Sequence, residues 1–460
     1  MIAIVVSRAD SASEHVFEQL LSEEDWDPTV DASRADGQGG GEVFRTDGFE
    51  LRTFDDWHLE LDDAAEPFDD PELLVFASRH SGETGPLLTA HFTGNFGPAE
   101  FGGEDRSLAA TCPNALSSIL GAFDEYAPAE YETGIECTHH GPTEVGVPSM
   151  FVELGSGEEE WADPAGARAV ARSILALRGV DPHAARHPGD AIASASEDGR
   201  QPRRHLVGIG GGHYAPRFER VIRETDWRVG HVAADWTLED MGSPARHRNV
   251  LVEAFEQSEA AFALVADTDR DLDDVEQIVE ESGHRVVSET WLREVDDVPL
   301  SLAADLESTL SSVEEGLRFG TVSDEDGYTV VDLPTALLDE VRGIASERVR
   351  DAVERTTLAF ETVENGNRVR GQAAVADSDR YDALIDALAE MLAEKYDAVN
   401  RRDGRIVAEV TAFDPGRAHD AGVPEGPAFG RLSNGESVSV DGRTISPEAV
   451  ESTRTEEFPI

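Results

Sequence analysis

The sequence predicts an α/β fold in its first part and an α+β extension after it. At about 150 residues per domain, 460 residues correspond to about three folding units, and 40% hydrophobic residues are enough for packed cores. Short apolar runs alternate with amphipathic segments until about residue 290, after which acidic helices dominate. These observations place the domain boundaries at 1–290, 291–415 and 416–460.

The apolar runs of the first part have the length and composition of short β-strands. They are Ile2 to Val6, Leu73 to Ala77, Leu87 to Phe92, Tyr131 to Thr138, Met150 to Leu154, Leu206 to Ile209 and Phe262 to Ala266. Amphipathic helices are expected between them, one opened by a capping box of Ser11 and Glu14 and one from Ala165 to Leu177. This alternation predicts a layered domain with a largely parallel or mixed sheet. Residues 31–48 and 190–204 are rich in Gly, Asp, Ser and Ala, which predicts loops.

The extension combines long helices with a few strands. Helices are expected from Pro334 to Glu354 and from Ser378 to Val399, with a hairpin around Asn365-Gly366-Asn367 between them. A strand is expected from Ile406 to Phe413. The turn Asp441-Gly442 between two β-rich triplets predicts a small β appendage near the end of the chain.

The charge is strongly one-sided. Asp and Glu number 94 against 38 Lys and Arg, which gives a formal net charge of -56, and Lys395 is the single lysine. Carboxylates hold hydrated cations, so this surface indicates a salt-loaded cytoplasm. Nucleic-acid binding normally depends on Lys and Arg, but screening within about 3 Å at 1 M salt weakens that argument. The charge therefore does not exclude a tRNA partner bound through shape, hydrogen bonds and a few arginines.

The number of cysteines and the hydropathy of the sequence indicate where in the cell the protein is expected. Cys112 and Cys137 cannot build a disulfide framework or a cysteine-rich zinc pattern. No apolar run approaches the roughly 20 residues that span a bilayer, and the first residues lack a signal-peptide pattern. We expect a soluble, cytoplasmic protein without a membrane partner.

Histidines cluster at the predicted strand ends. Of 14 histidines, 11 lie at or before position 231. His80, His91, the pair His139-His140 and His213 each lie at or just past the carboxyl end of a predicted strand. Because ligands of open α/β sheets bind at that edge, these side chains are expected to meet.

The segment Gly210 to Arg217 reads Gly-Gly-Gly-His-Tyr-Ala-Pro-Arg. Glycines let a ligand approach the backbone, and Pro216 is suited to begin a helix whose N-terminus, with Arg217, favours an anion. A flexible turn with a surface histidine is the alternative.

Adjacent residues on an extended chain point in opposite directions. His139 and His140 are therefore not expected to chelate one ion unless the turn rotates one ring. Each would serve a different ligand, or one would bind a metal and the other orient it, unless both are surface loop residues. Glu153 is a candidate carboxylate, with a solvated glutamate as the alternative. Asn95 either donates to an ester or carboxyl oxygen or forms an Asx turn. No Gly-x-Ser-x-Gly elbow or Walker loop is present, which disfavours Ser-His-Asp and P-loop chemistry.

Five motifs together carry a family resemblance. They are Val5 to Asp10, Ser78-Arg79-His80, His91 to Asn95, Thr138 to Thr143 and Gly210 to Arg217. In this order they resemble the archaeal and plant-type D-aminoacyl-tRNA deacylases over roughly residues 1–285. The resemblance implies zinc dependence, a fold similar to phosphorylases and peptidyl-tRNA hydrolases, and hydrolysis of the ester that joins a D-amino acid to tRNA. A short stretch from Gly422 to Leu432 resembles the tail of tRNA 3′-processing endonucleases of the metallo-β-lactamase superfamily, without their His-x-His-x-Asp-His motif.

The expected site follows from these motifs. As a hypothesis, His91, His139, His140 and His213 hold one or two zinc ions per chain with an open coordination position. The residues expected to take part in catalysis are His139, His140, His213 and Glu153; those expected to bind substrate are Asn95, Gly210, Gly211, Gly212, Tyr214 and Arg217. A zinc peptidase or amidohydrolase and a non-catalytic tRNA-binding module remain alternatives. The chain is expected to be a monomer without a stable protein partner.

Overall fold

The computed structural model describes residues 1–186, 202–268, 270–322 and 327–460. The chain forms two compact units, residues 1–301 and 302–460. Mixed sheets and helices build both, so the predicted α/β class with an α+β extension is confirmed. Across the described ranges, no helix is both long and apolar enough to cross a membrane.

The first unit holds strands at every position where the sequence predicts one. Its strands are β1 (Ile2–Ser7), β2 (Asp27–Asp31), β3 (Gly41–Thr46), β4 (Phe49–Phe54), β5 (Leu73–Arg79), β6 (Leu87–His91), β7 (Glu132–Ile135), β8 (Ser149–Gly155), β9 (His205–Ile209), β10 (Arg228–Ala233), β11 (Phe262–Val265) and β12 (Arg285–Val287). Its helices are α1 (Ser11–Glu23), α2 (Pro113–Tyr126), α3 (Glu158–Trp161), α4 (Pro164–Leu175), α5 (Pro216–Glu224), α6 (Asp235–Met241), α7 (Arg248–Gln257), α8 (Asp273–Glu281) and α9 (Glu289–Glu294), and α10 (Leu300–Thr309) begins at its end.

The larger sheet of this unit has the order β2-β3-β4-β1-β5-β8-β6-β7. Strands β4, β1, β5 and β8 run parallel, whereas β6 is antiparallel to β8 and parallel to β7. Strands β1 and β8 are buried along their whole length, as expected for central strands covered on both faces. Helices α1 and α4 contact each other and cover one face of the centre.

The smaller sheet has the order β10-β9-β11-β12, and its strands are all parallel. Its core contains Val207, Ile209, Leu251, Phe255 and Val275. The chain leaves β9 through α5 to β10 on one side and returns to β11 on the other. The carboxyl end of β9 therefore opens into the crevice where ligands of such sheets bind.

Two local predictions require correction. Asp10, not Ser11, caps α1, because its carboxylate accepts from the Ala12 N–H. Residues 31–48 are not a loop throughout, because β3 pairs with β4. Val43 on β3 is fully buried, and this inward apolar side chain helps to fix β3 between β2 and β4. Most of the second predicted loop, residues 190–204, lies outside the described residues.

The second unit is α+β. Its strands are β13 (Leu317–Phe319), β14 (Thr329–Asp332), β15 (Ala359–Val363), β16 (Arg368–Val375), β17 (Ala398–Arg402), β18 (Arg405–Phe413), β19 (Val438–Val440), β20 (Arg443–Ile445) and β21 (Glu451–Pro459); its further helices are α11 (Thr335–Thr356), α12 (Ser378–Leu392), α13 (Pro415–Asp420) and α14 (Pro427–Ser433). Helices α11 and α12 share one hydrophobic core with the sheets β13-β15-β16-β14 and β17-β18-β21. Because β21 pairs along the whole of β18, the last residues return to the sheet of this unit.

Candidate metal centre

The segment Glu136–His140 follows β7 and lies where the two sheets of the first unit meet. Its backbone N–H groups bond to both sides. Glu136 donates to Ala90 on β6 at 3.2 Å, and Cys137 donates to the His213 carbonyl at 2.7 Å. Thr138 donates to Val232 on β10 at 2.9 Å. The segment that carries His139 and His140 is thus held between the two sheets. It bonds to β6 of the larger sheet, and to β10 and the loop after β9 of the smaller sheet.

The histidines meet, but not at one carboxyl edge as predicted. His80 follows β5, which is parallel to β8, whereas His91 ends β6, which is antiparallel to it. His91 pairs with Phe151, and Glu153 lies two residues further along β8 on the same face. One carboxylate oxygen of Glu153 lies 3.7 Å from His80 Nδ1 and the other lies 3.6 Å from His91 Nε2. The two histidines therefore approach this glutamate from opposite ends of β8.

The turn after Cys137 rotates the paired histidines together. His140 has φ 46°, in the left-handed region, and this removes the alternation expected for an extended chain. The ring centroids of His139 and His140 lie 4.4 Å apart. The ring of His91 lies 4.3 Å from that of His139 and 4.8 Å from that of His140. The condition under which His139 and His140 were expected to serve one ion, a turn that rotates one ring, is therefore met.

Backbone carbonyls fix the tautomers of these imidazoles. The Nδ1 atoms of His91, His139 and His140 lie 3.1, 2.8 and 2.8 Å from the carbonyl oxygens of Phe92, Cys137 and Gly141. A carbonyl only accepts, so each Nδ1 carries the proton and each Nε2 keeps its lone pair. One ring nitrogen of each histidine lies within 4.8 Å of those of the other two.

Histidines that bind a metal through one ring nitrogen typically donate the N–H of the other to a carbonyl or carboxylate, as these three do. Three imidazoles form a common zinc donor set. The Nε2 atom of His91 is buried and has no hydrogen-bond partner in the described chain. A buried acceptor of this kind is costly unless something occupies it. The residues present therefore fit a bound zinc ion.

The pKa values agree with ligation by the pair. Burial lowers the pKa of His139 to about 4 and lowers that of His140 further, which keeps both imidazoles neutral. Burial also acts on His91, but the neighbouring Glu153 carboxylate outweighs it and raises the pKa of His91. At His91 a proton and a metal ion therefore compete for the same nitrogen.

Glu136 connects the histidines and was not singled out by the sequence patterns. Its carboxylate accepts from His213 Nε2–H at 2.7 Å and lies 3.1 Å from His80 Nδ1 and 3.6 Å from His139 Nε2. Burial raises the pKa of this carboxyl, but the His213 and His80 contacts outweigh it and hold the pKa well below its usual range. A carboxylate inside the apolar run from Tyr131 to Thr138 was the available signal, because a buried charge requires partners.

His80 is a cation held between two carboxylates. Burial lowers its pKa, but the carboxylates of Glu136 and Glu153, 3.1 and 3.7 Å from Nδ1, outweigh it and raise the pKa to about 10. Its Nε2 lies 3.3 Å from the hydroxyl of Tyr214, which brings that predicted substrate residue to the site. Glu153 is 4% exposed, so the alternative of a solvated glutamate is wrong.

His213 reaches the centre from the glycine loop after β9. Its ring lies 4.9 Å from that of His139, and its Nδ1 lies 3.5 Å from Cys137 Sγ. Because Nε2–H donates to Glu136, the Nδ1 atom is the ring acceptor. One ligand atom each of Cys137, His139 and His213 lie within 4.8 Å of one another, so His139 belongs to two candidate ligand sets.

A cavity of about 470 Å³ opens beside these groups. It is lined by Trp57, His58, Leu59, Ser78, Arg79, His80, Ser81, Phe101, Glu136, His139, His140, Phe151, Glu153 and His213. A small molecule can therefore reach the candidate metal ligands through this cavity.

Comparison with known proteins decides the family. A family model described as D-aminoacyl-tRNA deacylase matches residues 67–287. A D-aminoacyl-tRNA deacylase of Natronomonas pharaonis is 51% identical over 460 residues, covering 100% of both chains. The chain belongs to the D-aminoacyl-tRNA deacylase family. One relative of that name from Haloarcula marismortui is 48% identical over 466 residues and 100% of both chains; another, from Methanoregula boonei, is 30% identical over 388 residues and 83% of both.

One solved structure supports the α/β core of this deacylase-family chain. It is a conserved protein of unknown function with a TM-score of 0.53 and 29% identity. The match covers 64% of the present chain and 96% of that protein.

Other predicted substrate residues of the deacylase-family site lie apart from the metal ligands. Gly211, Gly212 and Arg217 line a separate cavity of about 310 Å³ at the start of α5, and Gly210 forms the turn that leads into it. Arg217 is 2.9 Å from Asp267, a carboxylate that an anionic ligand would have to displace. The helix predicted to begin at Pro216 is confirmed.

Asn95 has a local partner instead of a free amide. Its Nδ2 donates to the carbonyls of Gly102 at 2.9 Å and Glu104 at 3.1 Å. Both amide hydrogens are thereby used, so the predicted donation to an ester or carboxyl oxygen has no hydrogen left. The physical reason is the loop at residues 101–104, whose inward carbonyls require donors.

Proposed function

We propose that this protein hydrolyses the ester bond of D-aminoacyl-tRNA at a zinc centre held by His91, His139 and His140. Membership of the deacylase family supports the substrate, and the products are free tRNA and a D-amino acid. The observation that carries the metal is the set of Nδ1–H bonds to carbonyls, which leaves Nε2 acceptors in one place. The proposed setting is the salt-loaded cytoplasm, where tRNA is aminoacylated.

A zinc ion held by His91, His139 and His140 would supply Lewis-acid chemistry for ester hydrolysis. His213 is the best supported proton acceptor. Glu136 holds its Nε2–H, which fixes the tautomer and leaves Nδ1 able to accept. Glu153 is the second candidate, because its buried carboxylate lies in the same cavity.

The remaining groups position the substrate. The cationic His80 donates Nε2–H to the Tyr214 hydroxyl, whose own proton remains available to a ribose or carbonyl oxygen of the substrate. The walls formed by Trp57, Leu59 and Phe151 leave limited room around the α-carbon of the amino acid. Steric rejection of an L side chain by these walls is the proposed basis of chiral selection. The cavity at Gly211, Gly212 and Arg217 remains the proposed place for a phosphate.

The test is a single-turnover assay with D-tyrosyl-tRNA and L-tyrosyl-tRNA in molar salt. We expect the D-ester to be cleaved at least about tenfold faster. His139→Ala and His213→Ala should abolish turnover while unfolding stays cooperative, and His139→Ala should also lower zinc content. His419→Ala, on the exposed surface of α13, is the matched control and should behave as the wild type.

Equal rates on both esters would remove the deacylase proposal. Cleavage of small peptides without any effect of tRNA would favour a zinc peptidase. Binding of tRNA by a zinc-free protein without turnover would favour a binding module. The proposed monomeric state is checked by sedimentation at the same salt.

A further inference from the structure

Exposed aromatic rings collect at one place on the molecule. Within the described ranges, the large hydrophobic side chains that are exposed are Val30, Phe101, Tyr214, Trp236 and Val363. The aromatic members of this set all lie around the metal centre, and the aliphatic ones do not. Single exposed hydrophobic residues need no explanation, but aromatic rings gathered at a functional site do.

Trp236 stands beside the histidines at the start of α6. Its ring lies 6.1 Å from the ring of His213 and 6.5 Å from that of His139. The ring is nevertheless 42% exposed, so a face remains available to a ligand.

Phe101 lies on the cavity wall and is 65% exposed. Its loop is fixed rather than loose. The Phe101 carbonyl accepts from Gly141 N–H at 2.9 Å, immediately after the paired histidines. Asn95 donates to the carbonyls of Gly102 and Glu104 in the same loop. Two sets of hydrogen bonds thus hold an apolar ring in water next to the proposed zinc ligands.

We propose that Trp236 and Phe101 form the stacking surface for the terminal bases of the tRNA substrate. The inference rests on the proposed function: when the ester lies at the zinc ligands, a single ribose separates it from the terminal adenine. That base must then lie at the rim of the cavity, where these rings are. Unpaired bases of RNA are held by stacking on aromatic side chains.

The negative charge of the protein also favours recognition of the RNA end by stacking. Only 38 Lys and Arg stand against 94 Asp and Glu, so few basic groups are available for phosphate contacts, and molar salt screens such contacts. Stacking is not screened by salt. Aromatic rings are therefore the recognition groups best suited to an RNA end on this acidic surface.

Two measurements test the surface. Adenosine monophosphate should quench tryptophan fluorescence of the wild type, and this quenching should be absent in Trp236→Phe. In steady-state deacylation of D-tyrosyl-tRNA, Trp236→Ala and Phe101→Ala should each raise KM about tenfold or more with little change in kcat. Trp236→Phe and Phe101→Trp, which keep a ring, should stay close to the wild-type KM.

Val30→Ala is the matched control, because Val30 is 80% exposed on β2 and lies away from the site. Zinc content is measured for every variant, so that a lost metal is not mistaken for a lost base contact. If the wild type deacylates D-tyrosyl-tRNA but either alanine variant leaves KM within about twofold, the stacking proposal is overturned. If the wild type binds adenosine monophosphate through Trp236 but cleaves no ester, the proposed function fails and the nucleobase surface stands.

Discussion

Backbone carbonyls prepare the imidazoles of the candidate centre for a metal. Each of the three Nδ1–H groups has a carbonyl partner before any ion binds. The rings therefore lose little rotational freedom on binding, which favours affinity. The left-handed conformation of His140 is part of this arrangement, since it turns two consecutive rings to the same side. Strain of this kind is typically found at functional sites.

Glu136→Gln should weaken zinc binding by about 10- to 100-fold, because the carboxylate lies 3.6 Å from His139 Nε2 and places a negative charge beside the bound cation. The measurement is a competition titration with a chromophoric chelator at constant salt. Glu132→Gln, an exposed position at the start of β7, the strand that precedes Glu136, is the control and should leave the affinity unchanged. An unchanged affinity in Glu136→Gln would show that this carboxylate does not support the ligands.

At the scale of elements, the direction of β6 decides the site. Because β6 is antiparallel to β8, its end brings His91 to the middle of the face that carries Glu153. A parallel β6 would have placed His91 near the carboxyl end of β8, the end where His80 lies. The segment Glu136–His140 then adds the remaining ligands by bonding to both sheets. The centre therefore depends on the contact between two sheets and not on either sheet alone.

His205, the first residue of β9, makes the free energy of unfolding depend on pH. His205 Nδ1–H donates to the Ser258 carbonyl at 2.8 Å, and its Nε2 accepts from Ala184 N–H at 3.0 Å. Burial lowers its pKa from 6.5 to about 3, so the unfolded chain binds the proton first as pH falls. Stability is then complete above pH 6.5 and is lost progressively between pH 6.5 and 3.

Because the unfolded chain protonates His205 first, the free energy of unfolding should be about 2 kcal/mol lower at pH 5 than at pH 8. Urea unfolding of the wild type and His205→Gln at both pH values measures this difference. The variant should show a smaller loss between the two pH values, whereas His247→Gln should match the wild type. Equal losses in all three proteins would contradict the assignment.

At the scale of the whole molecule, the negative charge sets the conditions for folding. The net charge of -56 is spread over both units, and self-repulsion grows as the screening length rises from about 3 Å at 1 M to about 8 Å at 0.15 M. Many arginines are already paired with carboxylates, as Arg52 is with Glu50, so they do not compensate the remaining acids. Compactness therefore depends on salt.

Dilution from about 3 M to about 0.15 M KCl should unfold the protein, because repulsion is then screened over a longer distance. Circular dichroism at 222 nm follows the loss of helix. Replacing the salt by sucrose is the control: sucrose stabilises compact states but does not screen charge, so it should rescue little. Native ellipticity and a cooperative thermal transition at 0.15 M would contradict this dependence.

The sequence by itself determined seven strands of the first unit and the helix that starts at Pro216, and it selected His91, His139, His140 and His213 as candidates for one site. These features follow from local periodicity, turn residues and short motifs, which act between neighbours in the chain. Only the tertiary structure decided that β6 runs against β8, that Glu136 holds three histidines, and that Asn95 braces its own loop. Strand direction and the partners of a buried charge depend on residues far apart in sequence, and periodicity carries no information about them.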